Sequence, residues 1–489
     1  MTDPRFAALF DPKGVVVAGA STHPGKFGFV SLHNILANGY QGNVFATNLE
    51  RATVLGVQTV ASIEEIPAGA ADLVIVCTPK PTIEPLLRGC AAKGITAAFL
   101  TTAGYAEAGG EGEAEQAALV ALCEELGILL AGPNGQGVVS TPSHLCAQIV
   151  APYPVAGTIG VASQSGNFVS SFLNWSNATG IGISRAVSAG NAAATNVGDY
   201  LRYYSEDTHT SVGLAYLEGI SDGREFYDTA RSITGSKPLV VLKGGATEGG
   251  AKAASSHTGS LATNDRVFDG ACRQAGVTRA ATVEEAFEAA ATFATQPLPT
   301  GNSVVVMTTA GGWGVVTADA ISRSRTLELL ELPEDLIAQI DTQLPPRWSR
   351  NNPVDLAGGE TRDTIPAVME MIATHPSVDA IIYLGIGIQS NQAAMMRSGS
   401  FYPDHGLERI VEYHERQDAR FARAAAEISA ATGKPILTAT ELAVADPSNA
   451  GPATVRETGR LCYLSANRAV TALEHLVQYA AYRQSRATR

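Results

Sequence analysis

Within the run AKAASSHTGSLA, residues 251–262, a lone imidazole, His257, stands among alanine, serine, threonine and glycine. A histidine buried for packing usually has bulky apolar neighbours, whereas Ser255, Ser256, Thr258 and Gly259, which flank this one, are poor core-fillers. Small side chains leave room for a phosphate beside the ring. Neutral imidazole near pH 7 is a good nucleophile, and a phosphoryl group on its nitrogen keeps high transfer potential. The stretch reads either as a catalytic histidine or as a loop histidine bonded to backbone. Other residues suit the same chemistry. Ser163, Gln164, Ser165, Gly166 and Asn167 stand between a strand and a helix in GVASQSGNFVSSFLNW. Their N–H groups and hydroxyls would serve an anion, or merely cap the helix. Glu218 ends a strand in LAYLEGIS, at an edge where parallel sheets bind ligands; a solvated turn glutamate is the plainer reading.

The first strand-turn, VVVAGASTHPGKFGF, places Gly19, Ser21, Gly25 and Gly28 where a strand gives way to a helix. Glycines there let backbone approach a phosphate at a helix N-terminus. Their spacing is not GxGxxG, and tight strand–helix packing also explains them. Glu50, just past the next strand, would suit a ribose, which keeps a NAD-binding oxidoreductase among the alternatives.

These residues need a sheet edge to stand on. Short β-rich runs such as GVVVAGAS, DLVIVCTP and ITAAFLTT alternate with alanine-rich helical stretches. That pattern marks buried parallel strands with crossover helices. Pro- and Gly-containing links at CAQIVAPYPVAG and QPLPTGN divide the chain. Three α/β domains are expected, over 1–145, 151–295 and 300–489, the second and third built on one plan. The stretch GIGIQSNQAAMMRSGSFYPDHG, 385–406, reads as a surface loop rather than as the lining of a substrate entrance, the other reading it allows.

Composition narrows the classes. The chain has 489 residues, 45% apolar and 17% charged, ample for several cores. Its 47 acidic against 34 basic residues give a net charge of −13, which argues against non-specific nucleic-acid binding. The six cysteines form no CxxC pair and no zinc pattern, so no metal site is expected on this chain. Free thiols, no apolar signal core and no run of transmembrane length lead to the expectation of a cytoplasmic protein without membrane contact.

Taken together, the segments VVVAGAS…PGKFG, GPNGQG, VASQSGN, AGN, LEG, MTTAGGWGV, NNPVDLAGG and above all KPLVVLKGGATEGGAKAASSHTGSLA resemble the nucleoside-diphosphate-forming acyl-CoA synthetases. These include ADP-forming acetyl-CoA synthetase and, more distantly, the succinyl-CoA synthetase α subunit. The resemblance covers nearly the whole chain. It implies an α/β architecture of an N-terminal Rossmann-like CoA-binding domain followed by two flavodoxin-like ligase domains. It implies a reversible acid–thiol ligase, in which acyl-CoA, phosphate and a nucleoside diphosphate give acid, CoA and a nucleoside triphosphate. His257 would be phosphorylated by an acyl phosphate, Glu218 would orient the imidazole, and Ser163–Asn167 would hold the phosphate. CoA would lie against Gly19, Ala20, Ser21, Gly25, Lys26, Asn48, Thr78 and Pro79. No ATP-grasp module is seen among these residues, so ATP or ADP and Mg²⁺ are expected on a partner subunit of a hetero-oligomer. A CoA-binding regulatory protein without catalysis is the alternative.

The sequence departs from the family's pattern at several points. Asn48-Leu49-Glu50 replaces Asn-Pro-Lys, removing a cation expected near a CoA phosphate, with Arg51 next to it. Gly135 and Gln136 stand where relatives mostly have Cys and a small or apolar residue. Ala246 stands where Arg is common.

Overall fold

The computed structural model describes residues 3–150, 152–220, 222–250, 252, 264–356, 363–442 and 448–488. His257 lies outside the described residues. The chain folds as two compact units, 1–178 with 182–290 and 179–181 with 291–489.

The first unit holds two main sheets. Strands β1 (Gly14–Ala18) and β2 (Asn43–Thr47) are followed by a small hairpin, β3 (Thr53–Val54) and β4 (Val57–Gln58), then by β5 (Leu73–Val76), β6 (Ala97–Leu100) and β7 (Leu129–Ala131). Four of the five main strands are buried at every residue, β2 being the exposed-edge exception. Such Val/Leu/Ile-rich runs have no polar face to give to water, so helices must cover both sides. The order β2-β1-β5-β6-β7, all parallel, puts a topological switch between β1 and β5.

The second sheet contains β8 (Gly137–Ser140), β9 (Leu145–Gln148), β10 (Ala156–Ser163), β11 (Ile183–Ser188), β12 (Val212–Leu217), β13 (Leu239–Lys243) and β14 (Thr278–Ala280). Its order, β14-β13-β12-β10-β11-β8-β9, repeats the plan, with the switch between β10 and β12. The antiparallel pair β8–β9 extends this sheet through β11. Residues 137–145, placed with the N-terminal domain by sequence, thus hydrogen-bond into the second sheet. Arg185 fastens the two halves further. Its side chain is 1% exposed and pairs with Asp11 at 2.6 Å and Asp207 at 3.1 Å. Burial disfavours its charge, yet the two carboxylates outweigh burial and raise its pKa. Removing either partner would leave a buried charge short of its counterion.

The second unit carries β15 (Ser303–Thr308), β16 (Glu328–Leu329), β17 (Val354–Asp355), β18 (Ala380–Leu384), β19 (Ile436–Ala439) and β20 (Cys462–Tyr463). The order β16-β15-β18-β19-β20, with β17 beside β15, is the same plan again. A local detail repeats as well. Ser163 Oγ donates to Ser165 O at 2.6 Å and accepts from Ser165 N–H at 3.1 Å. Thr308 Oγ1 donates to Ala310 O and accepts from its N–H at 3.0 and 2.9 Å. Each strand-end hydroxyl, fully buried, closes the turn that aims the following helix.

The stretch 385–406 is not simply a loop. Residues Ile388–Arg397 form a helix. Asp418, on the helix Leu407–Thr432, accepts from Gly387 N–H at 3.3 Å and Ser390 N–H at 2.6 Å, satisfying donors at that helix start. Burial raises the Asp418 carboxyl to about 6, above its ordinary 3.8. A folded-state pKa above the unfolded one gives stability that is full below the unfolded value and lost as pH rises through the folded one. The window is therefore pH 4 to 6, and the loss is on the order of 2–3 kcal/mol. Asp418→Asn should lose less thermal stability than the wild type between pH 4 and pH 7. Equal losses, measured by thermal unfolding at both pH values, would contradict this assignment.

Candidate functional site

Two neighbouring sheet edges of the first unit carry the candidate residues. At the β1 edge, Gly19 has φ +86°, and a Cβ there would sit 2.8 Å from Thr78 Cγ2 and 3.0 Å from Cys77 O. Only glycine fits both the left-handed backbone and the close approach of the β5 end. Gly19 N–H donates to Thr47 Oγ1 at 3.2 Å, and Asn48 Nδ2 donates to Ala20 O at 2.8 Å, so the β2 end braces the turn. Ala20 is buried; Ser21 accepts from His23 N–H, and His23 Nδ1 accepts from Gly25 N–H. Lys26 is exposed at the N-cap of the helix Phe27–Ala37, whose first turn has no side-chain cap. Thr78 Oγ1 is buried with no hydrogen-bond partner among the described residues. Pro79 continues the β5 end in extended conformation. The structure thus brings together Gly19, Ala20, Asn48 and Thr78, with Ser21, Gly25 and Lys26 on the exposed turn and Pro79 next to Thr78. Open helix N–H groups, a cation and an orphan hydroxyl at a switch point suit a diphosphate.

At the second switch point, Gln164 links the two sequence-predicted segments. Its Oε1 accepts from Glu218 N–H at 2.5 Å and Gly219 N–H at 3.2 Å, while Nε2 donates to Gly219 O at 3.3 Å. Phe168 stacks on Tyr216 with centroids 4.0 Å apart, pinning helix to strand from the next position. Glu218 is 8% exposed. Burial, with Glu218 beside it and hydrogen-bonded to it, raises the Tyr216 phenol. Gln164, Ser165, Gly166, Asn167 and Glu218 line a cleft of about 990 Å³. Ser163 differs: it is inside, with its hydroxyl spent on Ser165, so it shapes the turn rather than facing the cleft.

Sequence reasoning missed the opposite wall. Asn191 Nδ2 donates to Glu107 Oε2 at 2.5 Å and Gln116 Oε1 at 2.9 Å, and Asn134 Nδ2 donates to Asn191 Oδ1 at 3.3 Å. Burial pushes the Glu107 carboxyl up, but hydrogen bonds from Asn191 and from the Gly104 and Tyr105 backbone hold it below its ordinary value. Glu107, Glu218, Asp222 and Glu225 are in the cleft wall, and no Lys or Arg is among its described residues. An anion bound here would depend on amide and backbone N–H donors, with the N-terminus of the helix Gly166–Thr179 as the positive end. Gly135 and Gln136 fit their surroundings closely. A Cβ on Gly135 would lie 2.5 Å from the Phe99 ring and 2.8 Å from Ser188 O, leaving no space for a cysteine. Gln136 lies across Gly166, where a Cβ would meet its Cγ at 2.3 Å, and donates to Asn167 Oδ1 at 3.3 Å.

A parallel-sheet domain followed by repeats of one flavodoxin-like plan is the architecture of the CoA-ligase class. The matching families agree: "CoA binding domain" over residues 13–181, "Succinyl-CoA ligase like flavodoxin domain" over 156–293, and "Ligase-CoA domain" over 304–389. The chain is 36% identical over 375 residues to the acetate–CoA ligase [ADP-forming] II subunit alpha of Pyrococcus furiosus, covering 76% of this chain and 81% of that one. It is 35% identical over 381 residues to the subunit alpha of ligase I from the same organism, with 77% and 82% covered. A solved structure of the dinucleotide forming acetyl-coenzyme A synthetase 1 of Ca. Korarchaeum cryptofilum, in complex with phosphate and ADP, superposes with TM-score 0.85 at 28% identity, covering 100% and 99%. The chain belongs to the family of ADP-forming acyl-CoA synthetases, on the side of their α subunits.

Proposed function

We propose that this chain is the α-type subunit of an ADP-forming acid–thiol ligase acting on a small organic acid and CoA in the cytoplasm. The observation that carries the reading is the Gln164 bridge, which sets the N-terminus of the helix Gly166–Thr179 beside Glu218 in one cleft. Phosphate held at Ser165–Asn167 attacks the thioester carbonyl; the C–S bond breaks, CoA leaves as thiolate, and an acyl phosphate forms. An imidazole nitrogen of His257 then attacks phosphorus, the P–O bond to the acyl group breaks, and the carboxylate departs. Glu218 accepts the imidazole N–H, fixing the tautomer and balancing the ring's positive charge. A nucleoside diphosphate takes the phosphoryl group on the partner subunit, and the imidazole is regenerated. CoA is held at the Gly19 turn through the open helix N-terminus, Lys26 and Thr78 Oγ1.

The nucleotide and Mg²⁺ belong to an ATP-grasp partner in this account. The purified chain should bind CoA and form no thioester from ATP, and activity should appear on adding that partner. Calorimetric CoA titration and a thioester assay with and without the partner make the test. Robust ATP-dependent thioester formation by the chain alone would sink the two-subunit reading.

A further inference from the structure

The cations of the first 150 residues are few, and their partners can be traced. Arg5, Lys13, Arg51, Lys80 and Arg88 are each ion-paired, and Lys93 donates to the Glu64 carbonyl. Lys26 is the remaining one, exposed and with no side-chain partner among the described residues. It stands at the helix N-terminus after β1, where a dinucleotide-type site holds the diphosphate. The adenosine ribose of such a site lies at the end of β2. At that end stands Glu50, exposed, its backbone N–H turned onto Asn48 Oδ1 at 2.9 Å. Arg51, next to it, is already engaged. Its guanidinium is clamped bidentately by Glu65, at 2.5 and 2.8 Å. Among the described residues of this stretch, the ribose edge thus presents an exposed carboxylate and no unengaged cation. A 3′-phosphate there meets repulsion, whereas a ribose hydroxyl meets an acceptor.

We propose that the adenosine end of this site is made for a ribose without a 3′-phosphate, Glu50 accepting from a ribose hydroxyl. The chain then holds CoA no more tightly than 3′-dephospho-CoA. This rests on the CoA reading of the Gly19 turn and adds which part of the molecule is recognised.

The test is calorimetric titration of the full chain with CoA and with 3′-dephospho-CoA, at low and at physiological ionic strength. For the wild type, the two dissociation constants should agree within about threefold, as befits exposed charges. Glu50→Lys should tighten CoA by roughly five- to tenfold, leave dephospho-CoA within twofold, and lose much of that gain at higher salt. Lys26→Ala should weaken both ligands by the same factor, because the diphosphate is common to them. A wild-type preference of more than about threefold for CoA would overturn the inference, and so would a Glu50→Lys change of equal size for both ligands. If the wild type binds neither nucleotide, the CoA reading itself fails and this inference falls with it.

Discussion

Replacing His257 with alanine is expected to abolish acyl-CoA formation by the chain reconstituted with its nucleotide-binding partner. The neighbouring hydroxyls of Ser255, Ser256 and Thr258 are weak nucleophiles at their ordinary pKa, and no adjacent base is evident in the sequence to activate them. Loss of the nucleophile therefore removes the whole second half-reaction. Glu218→Ala gives a useful contrast. A charge-assisted hydrogen bond to an imidazole is worth about 1.5–3 kcal/mol. Turnover should then fall by roughly tenfold to a hundredfold rather than vanish. Removing Glu218 leaves its backbone N–H on Gln164, so the strand end keeps its place. A thioester assay of both variants decides. Near-wild-type rates for His257→Ala would exclude phosphohistidine from the reaction.

Gly19→Val is expected to eliminate measurable CoA binding, a loss of at least about a hundredfold, roughly 2.7 kcal/mol or more. The side chain would meet Thr78 Cγ2 and Cys77 O, and φ +86° is costly for a β-branched residue. The turn can relieve the clash only by moving away from the β5 end, which displaces the N–H groups offered to the diphosphate. The second unit has its own core, around Val305, Met307, Ile381 and Tyr383, and should be unaffected. Circular dichroism would establish that the variant is folded, and calorimetry would read CoA. Unchanged affinity in a folded Gly19→Val chain would place the CoA site elsewhere.

Much of this was legible because the signals are local. Runs such as LVIV can only be strands covered on both faces, and a glycine ending such a strand marks a backbone position other residues avoid. What stayed hidden depends on contacts between distant residues. Gln164 meets Glu218 across 54 positions, and Glu107 meets Asn191 across 84. Neither pairing exists until β10 and β12 are neighbours and the first sheet is seated against the second. Ser163 looked like an anion ligand because a hydroxyl at a strand end serves equally to bind or to close the turn. The helix Ile388–Arg397 was missed for a similar reason. It is preceded by Gly387, without a side-chain cap, and the carboxylate that satisfies its start comes from Asp418 on another helix. Arg51 is a similar case: its guanidinium is engaged by Glu65, fourteen positions further on.

The central claim is that His257 carries the phosphoryl group, and labelling tests it most directly. The chain is incubated with an ATP-grasp partner and ATP labelled in the terminal phosphate, then quenched and divided between acid and base. The account predicts one labelled site, lost in acid and kept in base, as an N-phosphoryl group behaves, and absent from His257→Ala. Label that survives acid, or that persists in His257→Ala, would contradict it and move the acceptor to another side chain.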